Sequence, residues 1–457
     1  MKKVLVLNVV GLSPRHLGPH TPHLSALAEQ GFAAPLQGVL PALTCSAQST
    51  MLTGAPPKDH GIVGNGWYFR DLAQVWLWRQ SNHLVKGEKL WDVARKRNKH
   101  CTTMNMFWWY NMYANVDWYL TPRPLYMADG RKLPGIYGAP ADFRQEVEDK
   151  LSTFPLFDFW GPRAGIKSSR WITDATLYGM KAKDPTITLC YLPHLDYDLQ
   201  RFGPRDARID RALKEVDACA GKLIDYARES GREILVVSEY GISEVRDAVH
   251  INRALRQAGF LATTPKLSGE DLDAGASRAF AVADHQIAHV YVKNLEDQAA
   301  VKSLLENLDG VERVLDRREQ SLFGIDHQRS GEFVAISDSD RWFSYYFWLD
   351  DAKAPDYART VDIHSKPGYD PVELFTDPEI KALPLRIAGK ILKKKLGFRM
   401  TMNVIPLETR FVKGSHGRLE TKPADGPIII CSRATDVEPR FEMQDIRDCI
   451  LELADLG

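Results

Sequence analysis

The chain has 457 residues, enough for a large core, and its 44% apolar and 26% charged content is that of an ordinary globular protein. Lysine plus arginine equals aspartate plus glutamate at 59 each, so no global field recruits nucleic acid or an anionic membrane. A small phosphate-bearing molecule is not excluded, because it needs only a local site.

Met1-Lys2-Lys3 leads directly into the apolar run Val4 to Val10, broken only by Asn8. The run lacks a small-residue cleavage pattern and reads as a buried parallel strand rather than a leader peptide. No stretch approaches the roughly 18 apolar residues of a membrane span. The six cysteines are scattered without a CxxC pair. They read as reduced core residues, and a cytoplasmic location is expected. Thr21-Pro22 opens a helix that stops at Gly31, with threonine as N-cap and proline in the first turn. Pro41-Ala42-Leu43-Thr44 feeds a second short helix ending near Gly54.

Ile187 to Leu192 is a further buried strand, followed by an amphipathic helix carrying Ile209, Leu213, Val216, Leu223 and Ile224 and closing at Gly231. Strand Ile234 to Ser238 and a helix from Ile251 to Gln257 come next. Strands alternating with helices predict an α/β fold with a doubly wound, mostly parallel sheet, and ligands at the carboxyl ends of its strands. Beyond about residue 262 the spacing changes. Strands at Ala288–Val292, Val311–Leu315 and Glu332–Ile336, with a helix from Gln298 to Leu308, form a βαβ-like block. The expected division is a core of residues 1–261 and 400–457 with a smaller inserted α+β cap, 262–399; Ile428–Cys431 returns to the main sheet.

The informative segment runs from Leu40-Pro41-Ala42-Leu43-Thr44 through Thr53-Gly54 to His60-Gly61-Ile62-Val63-Gly64-Asn65. A hydroxyl at a helix N-terminus sits where free N–H groups and the dipole favour an alkoxide and a phosphoryl group. On chemistry alone, a threonine there is more often a cap. The segment resembles the nucleophile motif of type I phosphodiesterases, nucleotide pyrophosphatases and phosphonoacetate hydrolases, members of the alkaline phosphatase superfamily. The order of later segments also fits, so the resemblance covers nearly the whole chain. It implies a threonine nucleophile, Thr44, flanked by two metals, usually zinc.

Carried over residue by residue, the family's metal ligands are only partly kept. The aspartate that ends the family's first strand is Val10, with Asn8 two residues earlier on the same side. The Asp-x-x-x-His pair becomes Asp196 and Gln200, and Ser-Asp-His-Gly becomes Ser238-Glu239-Tyr240-Gly241. Ser415-His416-Gly417 is intact. Asp196, Glu239 and His416 are therefore the expected metal ligands, with His364, near Asp362, as a further candidate. Asn65, Gln200 and Tyr240 are candidate substrate contacts. Such an oxygen-rich set implies one divalent metal, zinc or more suitably Mg²⁺ or Mn²⁺, and fewer than two tightly bound zincs.

Other groups read as structural. His194 is a candidate partner of a ligand, His60 an anchor of its own loop, and Asp284-His285 and His289 parts of the cap. Cys45 is a buried helix-start residue with no paired histidine. Seven of the eleven tryptophans fall between Trp67 and Trp118, forming either core or an apolar, base-stacking pocket beside Thr44. The basic run Lys390, Lys393, Lys394, Lys395 and Arg399 around Ile391 and Leu392 reads first as a solvated helix face, with peripheral membrane contact as the minor reading.

The expected function is metal-dependent hydrolysis of a phosphoester, phosphodiester or phosphonate. The alternative is a pseudoenzyme of the same fold that binds a phosphorylated or isoprenoid-linked ligand. The chain is similar to alkaline-phosphatase-like proteins found in bacterial clusters with a membrane prenyltransferase, which implies such an isoprenoid-linked precursor.

Overall fold

The computed structural model describes residues 1–128, 131–398, 400–434 and 440–457. The principal elements, in chain order, begin with β1 (Val4–Val9), α1 (Pro22–Gln30), β2 (Phe32–Gln37) and α2 (Thr44–Thr53). Then come β3 (Thr103–Met106), β4 (Trp118–Pro122), β5 (Ile136–Ala139), α3 (Ile166–Lys183), β6 (Ile187–Leu192) and α4 (His194–Phe202). They continue with α5 (Ile209–Glu229), β7 (Glu233–Val237), β8 (Ala279–Asp284), β9 (Ile287–Val292), α6 (Gln298–Glu306) and β10 (Val311–Leu315). The last are β11 (Phe333–Ser337), α7 (Leu383–Lys395), β12 (Ile428–Cys431), β13 (Phe441–Glu442) and α8 (Ile446–Leu453).

A nine-stranded sheet runs β13-β2-β12-β7-β1-β6-β3-β4-β5. β1 pairs in parallel with β6 and β7, and β6 in parallel with β3. All six residues of β1 are buried, as are those of β6. Uninterrupted apolar strands hide their side chains only when helices cover both faces, and parallel pairing through helical crossovers provides that cover. Helix α5 packs on β1 and β7, while α8 packs on β1 and α2. The predicted doubly wound sheet is thus the architecture, with β12 antiparallel to both β7 and β2.

The second sheet, β8-β9-β11-β10, lies within the segment that the sequence sets apart as a cap. It differs from the expected βαβ-like block: β8 precedes β9 as an unforeseen hairpin partner, and every pairing in this sheet is antiparallel. The chain does cross over from β9 through α6 to β10, but β11 inserts between the two strands. Strand direction depends on which partner intervenes, and the residues of β11 carry no mark of that.

Thr21 stands at the N-cap position of α1, yet its hydroxyl makes no capping bond. It donates instead to the His16 carbonyl at 2.8 Å. Arg399, at the end of the basic run, lies outside the described residues. No helix among the described residues is long and apolar enough to cross a membrane.

Candidate active site

The central strands bring their carboxyl ends together, and the site grows from that edge. Asn8 sits near the end of β1, opposite Val237 of β7, and Glu239 and Tyr240 follow β7 directly. Asp196 and Gln200 lie one helical turn apart on α4, which starts just after β6. Gly241 has to be glycine for this packing, because a Cβ there would stand 1.7 Å from the Asp425 carbonyl oxygen.

Thr44 is the first residue of α2 and only 4% exposed. Its hydroxyl lies 3.2 Å from the Tyr240 hydroxyl. Ser46 secures the turn before it by donating to the carbonyls of Pro41 at 2.6 Å and Leu43 at 3.0 Å. One turn along α2, the Gln48 amide donates to Glu239 Oε1 at 2.5 Å and accepts from the Trp109 backbone N–H at 2.5 Å. The Asn8 amide donates to the same Glu239 oxygen at 2.6 Å. Two polar atoms are then left buried without partners, Glu239 Oε2 and Asn8 Oδ1, both acceptors.

The second carboxylate is held differently. Gln200 donates to Asp196 Oδ2 at 2.7 Å and Tyr240 to Oδ1 at 3.4 Å, while Gln200 accepts from the Tyr369 hydroxyl at 3.2 Å. His416 Nδ1 lies 2.8 Å from the Ala42 carbonyl, which only accepts, so this nitrogen carries the proton. The lone pair is on Nε2, 4.0 Å from Asp196 Oδ1. Burial lowers the His416 pKa to about 3, so the ring is neutral. Tyr240 stacks on it at 3.5 Å between ring centroids.

Burial raises both Asp196 and Glu239 to about 7, only partly countered by their hydrogen bonds, and the Glu239 charge raises Asp196 further. The hydroxyls of Thr44 and Tyr240 stand near enough to Glu239 to pull its pKa down in part. Tyr240 is itself raised well above the ordinary phenol value by burial and by these carboxylates, which keeps it a neutral donor.

The family's zinc pair does not fit this donor set. One half keeps Asp196 and His416, but Gln200 aims an N–H at the carboxylate, where a cation would need a lone pair. Among the described residues no three His, Cys, Asp or Glu side chains converge as a metal cluster. In the other half Val10 is buried in the core and Tyr240 replaces an imidazole. That half still offers the unpartnered Glu239 and Asn8 oxygens, with the Thr44 hydroxyl near Glu239. Oxygen donors of this kind suit Mg²⁺ or Mn²⁺ better than zinc.

His364 is exposed, its ring 6.4 Å from that of Tyr126, outside the buried network. Asn65 accepts from the Cys45 backbone N–H at 3.0 Å, and its amide donates to Asp284 at 3.2 Å. Asp284 and His285, expected as structural parts of the cap, both reach the site. Asp284 holds Asn65, and His285 stacks between Tyr369 at 4.0 Å and His416 at 3.6 Å. The Asp-His pair at a strand end was their one sequence signal. Gln48 gave none beyond its place one turn after Thr44. His289 is structural, 2.8 Å from the Val63 carbonyl, and His194 pairs with Glu215 at 3.1 Å, away from the ligands. His60 lies 3.1 Å from the Thr50 hydroxyl and accepts from Ile62 N–H.

Aromatic rings continue outward from Tyr369. Trp78 lies 6.0 Å and Trp160 5.5 Å from it, both half-buried, and Trp109 meets Trp78 at 5.1 Å. His285 and Trp78 adopt left-handed backbone, φ +58° and +57°, uncommon without glycine. A chain of rings thus joins the Tyr240–His416 stack to the surface.

The family model described as Type I phosphodiesterase / nucleotide pyrophosphatase matches residues 4–370. An uncharacterized pyrophosphatase/phosphodiesterase of Schizosaccharomyces pombe is 25% identical over 257 residues, 53% of this chain. The match spans only 45% of that relative's length. Among solved structures, phosphonoacetate hydrolase from Sinorhizobium meliloti 1021, in complex with phosphonoformate, superposes with a TM-score of 0.63 at 13% identity. That alignment covers 99% of this chain and 96% of the other. Murine ectonucleotide pyrophosphatase / phosphodiesterase 5, in complex with AMP, gives 0.60 at 15% identity, covering 100% and 96%. At such identities the likeness speaks for the fold.

Proposed function

From the premise that this chain belongs to the type I phosphodiesterase / nucleotide pyrophosphatase family, we propose that it hydrolyses a phosphoester, phosphodiester or phosphonate through Thr44. The observation that carries the reading is the buried Thr44 hydroxyl at the start of α2, flanked by Tyr240 and by a carboxylate near pKa 7. As the Thr44 oxygen attacks phosphorus its proton passes to solvent water, Glu239 staying ionised. The phosphorus–leaving-group bond breaks, and water then releases the phosphoryl group from Thr44.

Gln48 and Asn8 hold Glu239 in orientation, leaving Oε2 free. The N-terminus of α2 faces the phosphoryl oxygens. Tyr240, held neutral, donates a hydrogen bond. Glu239, Asn8 and Thr44 would hold the single divalent cation, which when bound lowers the proton affinity of the hydroxyl and offsets phosphoryl charge. Asp196 and His416, the other expected ligands, stand in a half-site that lacks its third donor and hold no second cation in this reading. His364, exposed, is left for a substrate-side role. The ring chain through Trp78 and Trp160 supports an aromatic or apolar leaving portion.

The test is turnover of bis(p-nitrophenyl) phosphate with Mg²⁺ or Mn²⁺ present. Thr44→Ala should lower kcat by about 10³-fold or more while the melting temperature holds. Retained turnover in that variant would remove Thr44 from the mechanism. Binding without turnover by the wild type would replace hydrolysis with a binding role.

A further inference from the structure

Helix α7 is not absorbed by the site. It belongs to a stretch, residues 381–407, that carries seven lysines and arginines and not one aspartate or glutamate, in a chain whose charges otherwise balance. Its buried side is narrow: Leu383 and Ile387 pack against a cluster that includes Val245, Trp342, Val372 and Ile405.

The outward side is apolar where a solvated face would be polar. Leu385, Ala388, Leu392 and Leu396 follow one another at three, four and four residues and so share one stripe. Leu385 is 75%, Leu392 57% and Leu396 65% exposed, and Phe398 just beyond is 65% exposed. Arg386, Lys393 and Lys395 flank the stripe, and no carboxylate lies within ion-pair distance of any of them among the described residues. Lys390 is turned instead to the Thr401 carbonyl.

Leucines presented outward with cations along both margins match one kind of surface. We propose that α7 lies in the interface of a lipid bilayer with anionic headgroups, its leucine stripe in the acyl boundary and its cations among the phosphates. The chemistry is that of an interfacial amphipathic helix, in which apolar insertion and headgroup attraction add together. A second copy of the chain would bury the leucines but would bring the same unpaired cations face to face, and like charges oppose that contact. The proposal is independent of the hydrolytic reading and stands or falls separately from it.

The test is co-sedimentation of the full chain with large vesicles of phosphatidylcholine alone or mixed with phosphatidylglycerol. Binding is expected to the mixed vesicles, weak binding to the neutral ones, and loss of most binding as salt screens the cations. Leu392→Glu with Leu396→Glu should weaken binding by at least about tenfold. Lys393→Glu with Lys395→Glu should do so too, with melting temperatures unchanged in both variants. The emission of a Phe398→Trp variant should shift to the blue on adding mixed vesicles. Absence of binding, or leucine variants that bind as the wild type does, would overturn the proposal. So would a dimer in solution that Leu392→Glu converts to monomer, since a second copy would then be the partner of this face.

Discussion

Asp196, Glu239 and Asp284 are buried with amide and hydroxyl partners, and none forms an ion pair with lysine or arginine among the described residues. Burial raises each to about 7, whereas unfolded carboxyls titrate near 4. Folding therefore takes up protons between those values. The stability linked to these groups is complete below about pH 4 and is lost as pH rises through 7. Buried histidines such as His416 act in the opposite sense, but below about pH 6.5, where the unfolded imidazole protonates. Between pH 6.8 and 8.5 the carboxyls dominate, and the metal-free chain should lose about 1–2 kcal/mol. Thermal melts across that window check this, and Mg²⁺ or Mn²⁺ should restore more stability at the upper pH than at the lower. A melting temperature that rises with pH would mean that the carboxyls are ionised and satisfied without a cation.

Among the elements, the short strand Gly414–Ser415, which leads into His416, is held by contact with α4. Gly414 and Ser415 pair with Glu244 and Ser243, and Lys413 N–H donates to the Gln200 carbonyl at 2.9 Å. A Cβ on Gly414 would stand 2.2 Å from the Leu199 carbonyl oxygen, a backbone atom that cannot rotate away. Gly414→Ala should therefore push this strand off α4 and cost roughly 1–3 kcal/mol, read from chemical denaturation. Unchanged stability in that variant would show that the packing is looser than the geometry demands. The sequence made β1, β6 and β7 legible because strands buried on both faces read as nearly continuous apolar runs. It marked α2 by the residues around Thr44. It concealed the antiparallel order of β8 to β11, since the fully buried runs of β8, β9 and β11 read the same for either strand direction. The outward leucines of α7 were equally hidden, because periodicity shows that a helix has an apolar face and not whether anything covers it.

Across the whole molecule, the site is assembled from Asn8, Gln48, Asp196, Glu239, Asp284 and His416, spread over most of the chain and gathered at one sheet edge and the start of the second sheet. The substitutions at Val10, Gln200 and Tyr240 were visible in the sequence, and so was the doubt they cast on a zinc pair. Asn8 was legible as a neighbour of Val10, but its convergence with Gln48 was not. Gln48 and Asn8 converge on one oxygen of Glu239, and His285 arrives from a sheet far along the chain; such contacts exist only once the fold is closed. The proposed site holds a single cation on oxygen donors near Thr44, in place of the metal pair that the sequence resemblance implies. Calorimetric titration of the metal-free chain with Mn²⁺ and with Zn²⁺ tests it most directly. One Mn²⁺ per chain, abolished by Glu239→Gln, is the predicted result; two tightly bound zinc ions per chain would contradict it.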